Sequence, residues 1–511
     1  MYRHLGKYEI AVELCKECLA GHEETLGKEH AVTLTSMNTL ATLYFTQGKY
    51  ELAEHLYTEC LALQEETLGM AHPDTLTSIS NLALLYSNVG NYALAEQMCK
   101  RYLALNETAL GKTHPFTLNG INILAVLYMN QQKYDLAESM FQECWELQQE
   151  TQGKTHDSAL ATMSNLALMY NNQEKYALAE ELYEECLNLR EATHGRTHPS
   201  TLTAMNNLAL VYLNQGKYEL AEPLLKEYIE VREATIGKAH PDTLTGRGNL
   251  ALLYMKQKNY ALAESMYEAC FELQQITPGK THESTLATMN NLAEVYNKQG
   301  KYKLAEEMYK ECIDLREATF GKFHPPNLRI MDNLALCYDN QSKYELAEEM
   351  YKKCLEIREV TLGREHPDTV RSIDDLGLFY NRQAKYDLAE ELLKESLFLR
   401  ERSLEKTHPD RIFSLNILAS FYFNQDKYEL AEPLFKECLL LQDSTTGKLH
   451  PESCYSLTYL GMLYLAQREC ELAVEMFLEC WERQEATLGE MHPDTMKTMD
   501  ILSKLHEYLG R

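Results

Sequence analysis

A histidine recurs at every forty-second position of this chain: His30, His72, His114, His156, His198, His240, His282, His324, His366, His408, His450 and His492. No insertion or deletion disturbs that register. A fixed period of this length marks a stack of identical supersecondary units, and it constrains the fold before any other property is weighed. Such a stack grows as one body, so a length of 511 residues does not by itself imply several globular domains.

The unit from His198 to Ala239 predicts two helices, A and B. Thr201 can be an N-cap or first-turn residue after Pro199, which cannot sit inside a helix. Leu202, Met205, Leu208, Ala209 and Tyr212 then form one apolar stripe at helical spacing. Asn214-Gln215-Gly216-Lys217 breaks the stripe, with Gly216 available for a left-handed turn. Helix B carries Leu220, Ala221, Leu224, Leu225, Tyr228 and Val231, and ends near Thr235 before Ile236-Gly237-Lys238. Pro223, and Pro433 in another copy, must lie close to the start of helix B. Small residues mark where A and B cross: Ala209 recurs as alanine except for Gly377, Gly461 and a serine in the last copy, and Ala221 recurs as alanine in every copy from Ala11 to Ala473.

The spacing L-A-x-x-Y followed by A-x-x-x-Y resembles the tetratricopeptide repeat. Met205 replaces the tryptophan that this family prefers, its late proline is missing, and the unit is longer than the usual repeat of about 34 residues. With L-N-N-L-A, G-K-Y-x-x-A-E and R-E-x-T-x-G-K-x-H-P, the unit is similar to the repeat of kinesin light chains and nephrocystin-type proteins over essentially the whole chain. The resemblance implies an all-α, right-handed α-solenoid of helix-turn-helix repeats, and arrays of this kind carry many different partners. The boundaries expected are a partial N-terminal repeat over residues 1–29, eleven repeats over 30–491 and a capping helix over 492–511, in one continuous superhelical domain. Tyr2 aligns with the helix A tyrosine, so the chain is expected to begin at the tail of an A helix whose front is missing.

Chemistry is hard to place on such a chain. No stretch of 18 apolar residues and no signal peptide is present, which fits a cytoplasmic array. Nine of the 14 cysteines share one helix B position, and equivalent sites in stacked helices lie about 8–10 Å apart. That is too far for a disulfide, so reduced core thiols are expected. The histidines belong to separate repeats, which points to loop packing or capping instead of metal. Gly111-Lys112-Thr113, Gly153-Lys154-Thr155 and Gly279-Lys280-Thr281 lack the first glycine and the preceding strand of a phosphate loop. No catalytic residue, metal site, cofactor, nucleic acid or membrane partner is expected.

Charge is informative where it is missing. The chain has 49 basic and 76 acidic residues, net −27. Over the 15 residues equivalent to Thr33–Gln47, the first five A helices carry no charge, and all twelve carry only seven acids and nine bases. In the resembled family the A helices line the concave surface, so the acid lies outside and a neutral hollow remains. Asn81, Asn165, Asn207, Asn249, Asn291 and Asn333 share one position in front of the repeat leucine. A second row, including Asn214, follows seven residues later on the same face, where an amide can also cap the turn. An amide donates and accepts, which suits it to the backbone of an extended peptide. Lys256, Lys298 and Arg382 add positive charge; Glu294–Lys298, Arg329–Asp332 and Arg371–Asp374 are spaced for pairing within a helix, whereas Lys256, Arg382 and Arg247 are not. The resemblance implies acidic cargo peptides held on Asn and basic residues; this sequence keeps the Asn row and is poorer in bases. The expected function is a non-catalytic adaptor that holds an extended peptide in the groove, with motor or cytoskeletal association implied by resemblance alone. The alternative is the ligand-sensing array of a larger signalling protein whose N-terminal effector domain is missing.

Overall fold

The computed structural model describes residues 8–46, 49–320, 325–445, 451–490 and 492–510. Tyr2, His324 and His450 lie outside them. Among the described residues there is no strand, and the chain is an α-solenoid of antiparallel helix pairs. It divides into two compact units, Met1–Cys337 and Tyr338–Arg511.

In the first unit B and A helices alternate as α1 (Tyr8–Leu26), α2 (Ala31–Thr46), α3 (Tyr50–Thr67), α4 (Pro73–Asn88), α5 (Tyr92–Leu110) and α6 (Pro115–Asn130). They continue as α7 (Tyr134–Gln152), α8 (Asp157–Asn172), α9 (Tyr176–His194), α10 (Pro199–Asn214), α11 (Tyr218–Ile236) and α12 (Pro241–Lys256). Then come α13 (Tyr260–Gln274), α14 (Glu283–Lys298), α15 (Tyr302–Phe320) and α16 (Pro325–Asn340), whose last turn passes the boundary between the units. The second unit holds α17 (Tyr344–Leu362), α18 (Pro367–Arg382), α19 (Tyr386–Ser403), α20 (Pro409–Phe423), α21 (Tyr428–Thr445), α22 (Pro451–Ala466), α23 (Cys470–Leu488) and α24 (Pro493–Tyr508).

The joint from each B helix to the next A helix explains the loop motif. His72, His114, His156, His198, His240, His282, His366, His408 and His492 are N-caps. Each ring accepts through Nδ1 from the backbone N–H two residues on, at 3.2–3.3 Å, so one orphan donor of the helix is satisfied. Thr201 is therefore a first-turn residue and not the cap: it is buried, and its hydroxyl donates to the carbonyl of Gly195 at 2.9 Å. Gly195 holds φ +86°, the left-handed region that a Cβ would strain. The basic residue after the loop glycine reaches the next B helix, as in Lys112–Glu143 at 2.5 Å and Lys154–Glu185 at 2.5 Å. Both pairs are about half exposed and contribute little stability. Pro223 lies in the second turn of α11, where the one bond it removes is to the carbonyl of Glu219.

The core is built on the small residues. Ala41, Ala125, Ala209 and Ala293 of A helices, and the crossing-row alanine of every B helix from Ala53 to Ala473, have no exposed surface. The helix B cysteines are buried as expected from Cys60 onward, and several of their thiols donate to the carbonyl of the leucine-row residue in the preceding A helix, as in Cys60 to Leu34 at 3.3 Å, Cys144 to Leu118 at 3.2 Å and Cys312 to Leu286 at 3.4 Å. Cys18 differs, being exposed. Where tyrosine replaces this cysteine, at Tyr102 and Tyr228, the next A helix carries Gly120 and Gly246. A Cβ on Gly246 would stand 2.5 Å from the Tyr228 ring, so each glycine makes room for its tyrosine.

A second recurring contact ties most A helices to the preceding B helix. The repeat tyrosine donates to a helix B glutamate, as in Tyr86–Glu54 at 2.9 Å, Tyr254–Glu222 at 2.9 Å and Tyr380–Glu348 at 2.9 Å. At Glu348, Lys352 at 2.7 Å and Lys385 at 2.8 Å complete the cluster. Hydrogen bonds from Lys352 and Lys385, with Tyr380, hold this carboxyl well below its ordinary 4.5, at about 2. A depressed carboxyl stabilises the fold fully above its ordinary value and loses that contribution as pH falls toward about 2. Urea unfolding across that window should therefore show a shallower acid loss of stability for Glu348→Gln than for the native chain.

The A–B turn holds a stored strain. Its left-handed residue is glycine at Gly90, Gly216 and Gly300, but Gln132, Glu174, Lys258, Ser342, Ala384, Asp426 and Arg468 occupy the same conformation at φ +55° to +63°. A side chain there costs roughly 1–2 kcal/mol, partly offset by the backbone freedom that glycine regains on unfolding. Ala384→Gly should raise stability by about 0.5–1 kcal/mol, measured as a shift of the urea midpoint at constant slope.

Candidate functional site

The A helices expose a single narrow face. In α4 it consists of Thr77, Leu84 and Asn88, with Ser80 and Asn81 half-buried beside them. Spacings of three and four keep these residues in one stripe. The opposite side packs on the B helices through Leu76, Ile79, Leu82 and Ala83.

The structure places all six amides of the first row at the margin of this face, half-buried. Four of them form bonds from one A helix to the next. Asn81 donates to Asn38 at 2.9 Å, Asn165 to Asn122 at 3.2 Å, Asn249 to Asn206 at 2.8 Å and Asn333 to Asn290 at 3.0 Å. The other two alternate with them: Asn207 stands beside the buried hydroxyl of Tyr183, and Asn291 beside Tyr267 while accepting from Asn290 at 3.4 Å. Burial raises both tyrosines above their ordinary range. The pattern repeats every second unit, because the partner position holds Asn38, Asn122, Asn206 and Asn290 but Ser80, Ser164 and Gly248 in between. A helices touch directly where these bonds form, α2 with α4, α6 with α8 and α10 with α12. In each bond the row asparagine uses one N–H, and its Oδ1 has no partner among the described residues. Asn214 behaves likewise, donating to Asn171 at 3.0 Å.

The charges divide differently from their sequence spacing. Arg382, which has no partner within its helix, donates through Nε to Asp339 of the previous A helix at 2.7 Å. Arg247 is paired with Glu233 of α11. Asp374 does not pair with Arg371 but turns inward to Arg400 Nη1 at 2.5 Å and to the Ser396 hydroxyl. Burial pushes its carboxyl up, against the pull of Arg400 and Ser396. Glu294 and Lys298 form no ion pair, and the exposed Lys256 and Lys298 have no ionic partner among the described residues.

Two features of the face were missed at the level of sequence. Leu84 is 53% exposed and Leu168 39%, in a row that continues as Leu210 and Leu252. In the second unit Phe413 and Tyr455 occupy the row of Thr77, and Tyr455, Tyr459 and Phe423 form an aromatic group with ring separations of 4.6 and 5.4 Å. The available signal was an apolar residue at a position of the period that faces outward in other copies.

A tetratricopeptide repeat model matches residues 1–66, 116–171, 158–234, 242–318, 286–359, 327–402, 369–439 and 410–486, and further models of the same repeat match 75–116 and 206–273. The chain belongs to the tetratricopeptide repeat family. Among solved structures it is similar to a Podosopora anserina chain assigned as a kinesin light chain with nearly identical TPR-like repeats, at 26% identity over 40% of this chain and 97% of that one, with a TM-score of 0.35. It is also similar to BtubC (BKLC) from P. vanneervenii, at 23% identity over 46% and 91% with a TM-score of 0.37, and to yeast Tom70, at 14% identity over 93% and 96% with a TM-score of 0.48. Comparison with curated proteins gives no match. No helix among the described residues is long and apolar enough to cross a membrane.

The amide bonds make a direct prediction. A double-mutant cycle on Asn206→Ala and Asn249→Ala should give a coupling of about 0.5–1.5 kcal/mol in urea unfolding, the value of one partly buried neutral hydrogen bond.

Proposed function

We propose that this chain is a non-catalytic, cytoplasmic interaction scaffold, and that the A-helix face of its first unit holds an extended peptide. The observation that carries this reading is the composition of an exposed surface. Five successive A helices, α2 to α10, present no ionised group over their exposed stripe, and leucines half open to water stand in it at Leu84 and Leu168. Apolar side chains of a partner would cover these leucines. The Oδ1 atoms of Asn81, Asn165 and Asn249, held in fixed orientation by their bonds to the neighbouring helix, would accept from its backbone N–H groups. Lys256 and Lys298, at one register position of consecutive A helices, would favour an acidic residue at the later end of the peptide.

Panning a random peptide display library against the full chain tests this. Selected peptides should bind the double variant Leu84→Glu, Leu168→Glu at least about tenfold more weakly, equivalent to roughly 1.4 kcal/mol. Its stability should change by no more than about 0.5 kcal/mol per site, because both residues are exposed. Peptides that bind native and variant chains equally would place the binding surface elsewhere.

A further inference from the structure

The helix B cysteine position meets the helix A leucine row: the thiols of Cys60, Cys144, Cys186, Cys312 and Cys438 each donate to the carbonyl of the leucine-row residue 26 positions earlier. That row reads Leu34, Leu76, Leu118, Leu160, Leu202, Leu244, Leu286, Leu328, Val370 and Ile412, and then Cys454. Cys454 therefore faces Cys480, and two thiols stand where every other copy has one thiol at most. Cys480 Sγ lies 3.6 Å from the Cys454 carbonyl and Cys454 Sγ 3.9 Å from the Cys480 carbonyl, a reciprocal pair of contacts. Cys480 Sγ also lies 3.5 Å from the Thr458 hydroxyl. Both side chains are buried in one cluster with Leu457, Cys454 keeping 6% of its surface exposed. The same helix pair carries Gly461 in place of the crossing alanine, and a Cβ there would stand 2.7 Å from the Phe477 ring, so α22 and α23 pack closely. We propose that Cys454 and Cys480 form a dithiol that oxidises to an intramolecular disulfide, a modification site joining helix A to helix B of this pair.

The chemistry balances with a peroxide as oxidant. The Cys480 thiolate attacks one peroxide oxygen, breaks the O–O bond and becomes a sulfenic acid as hydroxide leaves and takes a proton. The Cys454 sulfur then attacks the Cys480 sulfur, the S–S bond forms, and water departs with the Cys454 proton. Two thiols lose two electrons and two protons, and hydrogen peroxide becomes two waters. Cys480 suits the attacking role: the hydrogen bond from Cys454 draws its thiol below the ordinary range against its burial, helped by Thr458, Thr498 and the charge of Arg483. The thiolate is the nucleophile, so the rate should rise with pH as the thiolate fraction grows.

The test uses the full folded chain, treated with hydrogen peroxide, alkylated and digested without reduction. Mass spectrometry should find a peptide joining Cys454 to Cys480, reversed by dithiothreitol, with two of the 14 thiols lost to it. Cys454→Leu restores the residue that most copies carry, so it should fold normally and yield no such peptide. If both thiols remain alkylatable at a dose that oxidises the exposed Cys18, the proposal fails. It fails equally if the linkage forms only in urea, or if Cys480 bonds to another cysteine.

Discussion

In α10 and α11 the two helices of a pair pack on each other at Ala209 and Ala221, neither of which keeps any exposed surface. A bulkier residue at either position would separate the helices, and the contacts around them depend on that separation. The thiol of the helix B cysteine reaches a backbone carbonyl of helix A only because the axes are close. Tyr228 enters the same layer only because Gly246 of the next helix has no side chain. At Gly461 the alanine itself is shortened, and Phe477 fills the space. Side-chain volume is thus conserved across facing positions, as a close-packed interior requires.

The periodic loop fixes direction where the alanines fix distance. Histidine caps the A helix, threonine closes on the glycine carbonyl, and the glycine takes the left-handed conformation that turns the chain. All three act within a few residues, and the tyrosine–glutamate bonds add a longer-range tie between one pair and the next. Local joints of this kind allow a nearest-neighbour stack, and they explain why the period tolerates no insertion.

The helix pair was legible in the sequence because its determinants repeat. Alanine rows, stripe spacing and turn residues each occur at one period, and a local cause repeated many times cannot be missed. The amide contacts were not legible in the same way. Asn81 bonds to Asn38, 43 residues earlier, and neither residue shows in its own helix which way its amide turns. Only the alternation of Asn38 with Ser80 and of Asn122 with Ser164 hints at a doubled period. Asp374 shows the same limit. Its spacing to Arg371 suits a helical pair, but its position faces the interior, and a buried carboxylate needs the stronger partner found in Arg400.

Packing gives one reason for the lack of charge on the A helices, and it applies to only part of the surface. Where α2 meets α4, or α6 meets α8, an ionised group at the Asn38 or Asn81 position would be confined between touching helices, so neutral amides are favoured by the stack itself. The row of Leu84 has no such constraint. It is open to water, and α14 places Glu294 in that row with its pair of helices intact. A glutamate there shows that the fold accepts charge, so packing does not demand leucine at 84 and 168. Half-exposed leucines in an uncharged stripe lower solubility, and the part of each side chain left open to water gains nothing from packing. The proposed peptide-holding role would account for them, because a covering chain would bury the leucines and the Oδ1 atoms beside them would supply the hydrogen-bond acceptors it needs.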